Sequence, residues 1–234
     1  MSRTVPPQRF DAIVRAASTV FLEQGYRRTQ MADVAERLGV AKGTLYLYVE
    51  SKEALFEQVV LYADRAEPIP LPRDLPVKSP RSGALLRALR RRLRSESTLP
   101  ALAAALVRRR TLYTRSEVEE IVRELVRLLA RHRVAIKLLD RCAADYPELA
   151  GLWFSGGRFG VVRQLERYLA SRIAQGRLPR VADAAVSARL VLETAVFWAV
   201  HRHWDPAPQE VSEELAEAAV VEFVARALIG EGSS

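Results

Sequence analysis

The stretch that decides the fold is residues 25–52, GYRRTQMADVAERLGVAKGTLYLYVESK. Four apolar residues in it share one face of a predicted helix: Met31, Val34, Ala35 and Leu38. Thr29 stands where it could cap the start of this helix. Gly39 ends it, because glycine enters the left-handed C′ position without steric cost. A second short helix at about 41–48 completes a predicted helix-turn-helix.

The second helix has the composition of a recognition helix. Val40 and Leu45 anchor it, while small residues, hydroxyls and a lysine point outward and suit the DNA major groove and its phosphates. Lys52, at the start of the next helix, is placed for a phosphate. The predicted DNA contacts are Thr29, Gln30, Lys42, Gly43, Thr44, Tyr46, Tyr48 and Lys52. A generic helical hairpin would share the apolar period and the glycine turn, but it does not explain this outward face.

From about Arg9 to Leu61 the sequence resembles the N-terminal domain of the tetracycline-repressor (TetR) family of bacterial transcription regulators. The matching residues are Ile13, Ala16, Ala17, Phe21, Gly25, Tyr26, Thr29, Val34, Ala35, Leu38, Gly39, Val40, Gly43, Thr44, Leu45, Tyr46, Tyr48, Ser51, Lys52, Glu53 and Leu55. Ala41 departs from the serine that is frequent there, so a hydroxyl contact is lost. Val49 replaces a frequent phenylalanine, which changes packing only.

Composition bounds the rest of the chain. The 234 residues hold 49% hydrophobic and 27% charged side chains, which is typical of a globular protein. No segment reads as a signal peptide or a membrane span, and the single cysteine, Cys142, fits a reducing compartment, so a cytoplasmic protein is expected. The net charge of +8 is concentrated in residues 78–115, which carry +10, rather than in the helix-turn-helix.

The remaining sequence predicts an all-α protein. The N-terminal DNA-binding domain is assigned to residues 1–52, and a helical effector-binding and dimerisation domain to residues 53–234. Helices are predicted at about 7–24, 84–95, 99–112, 158–175, 183–204 and 209–229. Another is predicted to begin after a Ser51 cap. A further helix is predicted from a capping box of Ser116 and Glu119 to about Tyr146, with a break near His132. Five prolines in residues 68–80 exclude helix there and predict a linker.

The second domain offers weaker signals. Residues 118–183 loosely resemble the ligand-binding half of some TetR-type regulators. Aromatic residues expected to line an effector pocket, or to serve as plain core, are Tyr113, Trp153, Phe154, Phe159, Phe197 and Trp198. Cys142 is either a redox sensor or a small buried hydrophobe. The arginine-rich segment 81–110 is a solvated face, a second DNA contact or a site for an anionic effector. Its arginines are Arg87, Arg90, Arg91, Arg92, Arg94, Arg108, Arg109 and Arg110.

An enzyme is not expected. The three histidines lack metal-ligand spacing, and GGRFG at 156–160 follows no strand, so neither a catalytic metal nor a phosphate loop is indicated. No cofactor is predicted. The resemblance implies a repressor that binds a palindromic operator as a homodimer and is released when an effector shifts its recognition helices. The last two helices are predicted to form the dimer interface, because they combine small residues with Val191, Phe197, Trp198, Leu215 and Phe223. An architectural DNA-binding protein without an effector, and a helical enzyme or scaffold that merely contains the hairpin, remain the alternatives.

Overall fold

A computed structural model describes residues 6–81, 83–96, 98–108 and 113–230. The predicted all-α class is confirmed. Strand-like pairing in these residues is limited to one isolated parallel bridge between Val49 and Val77. Their contacts divide the chain into two compact units. The first unit comprises the chain up to Arg92 together with Val134–Trp153, and the second comprises Leu93–Arg133 together with the chain from Phe154 onward.

The first unit is built from short helices around an N-terminal core. Its helices are α1 (Pro7–Gln24), α2 (Met31–Arg37), α3 (Lys42–Leu45), α4 (Lys52–Tyr62), α5 (Ala84–Glu96), α8 (Arg133–Ala143) and α9 (Pro147–Ala150). The last residues of α5 and the first residue of α8 belong to the second unit. Phe10, Ile13 and Phe21 of α1 are fully buried, as are Leu55 and Phe56 of α4, so these two helices form the core on which α2 and α3 rest.

The second unit is a bundle of longer helices. It contains α6 (Pro100–Val107), α7 (Thr114–Arg131), the end of a π-helical segment (Gly151–Arg158), α10 (Phe159–Ala174), α11 (Ala184–Ala199), a 3₁₀ turn (His201–Trp204) and α12 (Glu213–Ile229). The predicted break at His132 is confirmed, since this residue separates α7 from α8. The predicted Ser116 cap is wrong, because α7 already begins at Thr114. The residues at 109–112 that were predicted to end α6, Arg109 and Arg110 included, lie outside the described ranges.

The proline-rich segment is non-helical, as predicted, but it packs on the first unit instead of spanning open solvent. Ile69 is buried, and its N–H donates to Asp11 of α1 at 2.9 Å. The Arg15 guanidinium reaches the carbonyl of Glu67 at 3.1 Å. Beside the bridge, the Val77 N–H donates to the Tyr48 carbonyl at 2.8 Å. The segment therefore adds to the helix-turn-helix unit. The functional boundary at residue 52 stays a prediction.

Candidate nucleic-acid interface

The helix-turn-helix is formed by α2, a glycine turn and α3. Gly39 has φ +63°, the left-handed conformation that the sequence predicted for it, and its N–H donates to the Glu36 carbonyl at 2.9 Å. Leu45, fully buried, anchors α3. The helix is one turn long and continues as a turn, in which the Tyr48 N–H bonds to the Leu45 carbonyl at 2.9 Å. The motif therefore ends in a short helix, one side of which is buried through Leu45 while the other is exposed to solvent.

Five of the predicted contacts lie on the outer side of this motif. Lys42 and Gly43 are exposed, Thr44 is half-buried, and Tyr46 is 42% exposed. Gln30, also exposed, is the residue that caps α2, because the Asp33 carboxylate accepts its N–H at 2.8 Å. A cation, a hydroxyl, a phenol and an amide on one small surface can bond to phosphates and to base edges.

Two predicted contacts are corrected by their burial. Thr29 is 1% exposed and does not cap α2, since its hydroxyl donates to the Gly25 carbonyl at 2.7 Å. Tyr48 is 3% exposed, and burial raises the pKa of its phenol. It faces the core because α3 ends at Leu45 and the following turn rotates the next side chains away from helical spacing. Both residues position the motif from within.

Lys52 also has a role that the sequence did not indicate. Its ammonium donates to the carbonyls of Tyr26 and Thr29 at 3.0 and 3.1 Å and lies 4.6 Å from the centre of the Tyr26 ring. Backbone carbonyls of the α1–α2 loop thus occupy the donors that were predicted to bind a phosphate. Lys52 ties α4 to that loop, so its predicted phosphate contact has no support in this geometry.

The same loop is held by the turn that follows α8, a contact that sequence reasoning missed. Gly25 has φ +82°, and a Cβ there would lie 2.8 Å from the Asp145 carboxylate. That carboxylate accepts the Arg27 N–H at 3.2 Å, and the Tyr26 ring stacks on Tyr146 at 5.5 Å. Glycine at this position therefore serves both the turn and a close approach by α8.

Cys142 lies at this contact and is fully buried, with its sulfur 3.9 Å from the Phe21 carbonyl. Burial raises the pKa of the thiol to about 12. A reactive thiol needs access and a lowered pKa, and Cys142 has neither. The geometry favours the buried-hydrophobe interpretation over a sensor. Within the described ranges, no group of three or more His, Cys, Asp or Glu side chains is placed to hold a metal ion.

The aromatic residues predicted for an effector pocket differ in their exposure and in their partners. Tyr113 is 75% exposed, Phe159 is 45% exposed with the Arg189 guanidinium over its ring, and Trp153 donates to Asp140 at 2.6 Å within the first unit. Phe197 and Trp198 contact each other edge to face, 5.6 Å apart, and Phe154 is half-buried. Aromatic character alone does not determine the direction in which each of these side chains points.

A small apolar cavity instead lies within the second unit, between α7, α10, α11 and α12. It measures about 10 Å³. Its lining residues are Val118, Ile121, Val122, Leu165, Tyr168, Leu169, Val191 and Leu228. None of the six predicted aromatic residues is among them. A cavity of this size holds at most one water molecule.

Beside the cavity lies a buried ion pair that the sequence did not reveal. The Arg172 guanidinium, 0% exposed, donates to Glu117 at 2.7 Å and to the Ala105 carbonyl at 2.7 Å. Tyr168 donates to the same carboxylate at 3.1 Å, and burial raises the pKa of its phenol. Arg108 completes the group at 3.2 Å from Glu117. These bonds join α6, α7 and α10.

The comparisons of sequence with known proteins concern a short part of the chain. Residues 13–59 match the family described as bacterial regulatory proteins, tetR family. The HTH-type transcriptional repressor KstR2 of Mycolicibacterium smegmatis is 34% identical over 55 residues, and an uncharacterised HTH-type transcriptional regulator of Bacillus subtilis, YfiR, is 42% identical over 48. These matches cover 24% and 20% of this chain. The chain spans only about a quarter of these relatives, 27% and 23% of their lengths.

Solved structures extend the likeness to the fold of the whole chain. The ketosteroid transcriptional regulator KstR2 of Mycobacterium tuberculosis superimposes with a TM-score of 0.57 over 95% of this chain and 96% of that one, at 15% identity. At such identity the likeness concerns the fold. In the part of the chain that the structure describes, no helix combines the length and apolarity needed to cross a membrane. The helix-turn-helix segment, residues 13–59, is thus similar to that of the bacterial regulatory proteins of the tetR family.

Proposed function

We propose that this protein is a DNA-binding transcriptional regulator, a repressor that binds a palindromic operator as a homodimer and is released by a small-molecule effector. The observation that carries the proposal is the outer side of α3, where Lys42, Gly43, Thr44 and Tyr46 lie on a short helix fixed by Leu45. The match of residues 13–59 to the tetR family supports the same function, and the relatives named above are regulators. No catalytic activity is proposed.

The experiment that tests DNA binding is selection of duplexes from a random pool, followed by sequencing of the bound fraction. We expect an enriched inverted repeat whose half-sites are about one helical turn or more apart, roughly 34 Å, because a two-fold dimer presents two copies of α3. Enrichment of a single half-site would contradict the dimeric mode. If no duplex is enriched even at low salt, the DNA-binding function is contradicted, and the alternative of a helical scaffold is favoured.

The last two helices support dimerisation through the second unit. Both helices expose large apolar side chains: Val186, Leu190 and Phe197 on α11, and Leu215 and Phe223 on α12, between 42% and 63% exposed. On α11 they recur near helical spacing, so they form a stripe. Exposed apolar surface of this kind marks interfaces. Val191, which the sequence placed in the interface, is instead buried at the cavity, and Trp198 is half-buried.

Charged substitutions among these exposed apolar side chains of α11 and α12 are expected to dissociate the dimer. Leu190→Asp combined with Phe223→Asp buries two carboxylates per protomer if the helices pair, and an unpaired buried charge costs several kcal/mol. Sedimentation equilibrium at micromolar concentration should show a dimer for the wild type and a monomer for the variant. Val107→Asp is the matched control, since Val107 is 83% exposed on α6. A monomeric wild type, or a variant that stays dimeric, would contradict the assignment.

The effector is proposed to enter the apolar core between α7, α10, α11 and α12. Ligand sites for small molecules commonly measure about 300–1,000 Å³, far more than the cavity of about 10 Å³ found here. An effector must therefore separate these helices, and it shifts the protein only if it binds that opened state better. The architectural alternative lacks an effector, so a screen for apolar compounds that release a selected duplex distinguishes the two.

A further inference from the structure

Basic side chains line the segment that joins the helix-turn-helix to α5. We name Lys78, Arg81, Arg87, Arg90 and Arg91 the basic surface; each of them is exposed and all belong to the first unit. Residues 78–115 as a whole carry a net charge of +10. A cluster of positive charges attracts anions and raises their local concentration, even when no specific partner is bound.

The amphipathic packing of α5 fixes which way its arginines point. Leu85 and Leu89 are buried, 7% and 5% exposed. Arg87, Arg90 and Arg91 are spaced i, i+3 and i+4, so they share the opposite face, which is exposed. At 1.5 Å per residue, three guanidinium groups occur within about 6 Å of helix length. One DNA strand carries a phosphate about every 3.4 Å along the helix axis. The row of charges therefore fits an extended polyanion.

The attachment of this segment places it against the turn that follows the recognition helix α3 and against α4. The Glu50 N–H donates to the Val77 carbonyl at 2.9 Å, and the Ser79 hydroxyl donates to that of Ser51, the cap of α4, at 2.8 Å. At the other end, Arg92 donates to the carbonyl of Val60 at 2.7 Å. The residues before α5 thus contact the start of α4, and the last part of α5 contacts the end of α4. The two helices therefore run side by side.

The only acidic residue of the turn that follows α3 is neutralised from the same segment. Lys78, whose side chain is 74% exposed, donates to the Glu50 carboxylate at 2.8 Å, and the Ser79 N–H donates to its other oxygen at 2.9 Å. Glu50 would otherwise repel phosphates that approach α3. These two bonds lower the pKa of the Glu50 carboxyl, Lys78 contributing first. The segment thereby removes a repulsive charge next to the surface that faces DNA.

We infer that the basic surface is a second DNA contact, which binds phosphates flanking the bases that α3 faces. This inference rests on the proposed DNA-binding function. A site for a small anion requires donors that converge on one point in a desolvated pocket. The exposed row on α5 instead matches a backbone that extends along the helix. Its contacts are to phosphates, so they add affinity and salt dependence without changing the preferred sequence.

The test is the triple variant Arg87→Gln, Arg90→Gln, Arg91→Gln, since glutamine removes the charge and retains helix propensity. Its matched control is Arg167→Gln, Arg177→Gln, Arg180→Gln, which removes the same charge from exposed positions of the second unit. Affinity for the selected duplex is measured against salt concentration. We expect the slope of log affinity against log salt to fall by about 2 to 3 per protomer in the test variant. Hydroxyl-radical footprints should shorten at the flanks, and the selected sequence should stay the same.

Three outcomes overturn the inference and separate it from the proposed function. An unchanged slope in the test variant, with DNA binding by the wild type intact, shows that the basic surface does not contact DNA. Equal losses in the test and control variants show a general charge effect instead of a local contact. If pyrophosphate raises the melting temperature of the wild type but not of the test variant, while the slope is unchanged, the arginines bind a small anion. Failure of the wild type to bind any duplex removes both proposals.

Discussion

Replacing Glu117 by alanine is expected to lower the free energy of unfolding by about 3–5 kcal/mol, because it leaves the Arg172 guanidinium buried without its carboxylate. The loss also removes the acceptor of the Tyr168 hydroxyl and of Arg108. For a chain of this length, 1 kcal/mol corresponds to roughly 2–4 °C of melting temperature. Thermal unfolding followed by circular dichroism should therefore show a melting temperature lower by about 6–20 °C.

The chain offers a matched control on the same helix. Glu119 is two residues away and pairs with Arg115 at 3.1 Å in solvent, where the two side chains are 31% and 48% exposed. Its replacement by alanine should change stability by less than about 1 kcal/mol, as is usual for exposed pairs. Equal melting temperatures for the Glu117 and Glu119 variants would show that the buried pair contributes no more than a surface pair.

The helices were largely predictable because their signals are local. The apolar period and Gly39 located the helix-turn-helix, and the prediction of a helix at about 84–95 agrees with α5. Each of these inferences needs only residues that lie within a few turns of one another. A local pattern also identified Ser51 as the cap of α4. The last helix was predicted to begin at about 209, but α12 begins at Glu213, after a cap at Ser212.

The contacts that decide the candidate site were not predictable because they join distant segments. Lys52 looked like a phosphate ligand by position, but its partners are carbonyls 23 and 26 residues away, which no side-chain pattern encodes. Glu117 and Arg172 are separated by 55 residues and read as ordinary surface charges in their own helices. Composition placed the positive charge at 78–115 but not its attachment beside α3, which depends on the Val49 and Val77 bridge.

Removal of the outward side chains of α3 is expected to abolish sequence-specific binding while leaving the fold intact. Lys42 and Tyr46 are exposed and lie outside the core. If each contributes about 1 kcal/mol to the DNA complex, the double alanine variant of a dimer loses roughly 4 kcal/mol from its four missing contacts. That corresponds to an affinity about 1,000-fold lower for the selected duplex, at an unchanged melting temperature.

Lys52→Met provides the contrast, because it deletes an ammonium whose partners are internal carbonyls. Leaving these carbonyls partly buried and unpaired is expected to cost about 1–3 kcal/mol of stability. Its DNA affinity should stay within about tenfold of the wild type at a temperature where the variant is folded. Binding that falls as far in Lys52→Met as in the α3 variant, with no change in melting temperature, would return Lys52 to the DNA interface. Unchanged DNA binding in the α3 variant would show that the outward side of α3 does not contact DNA.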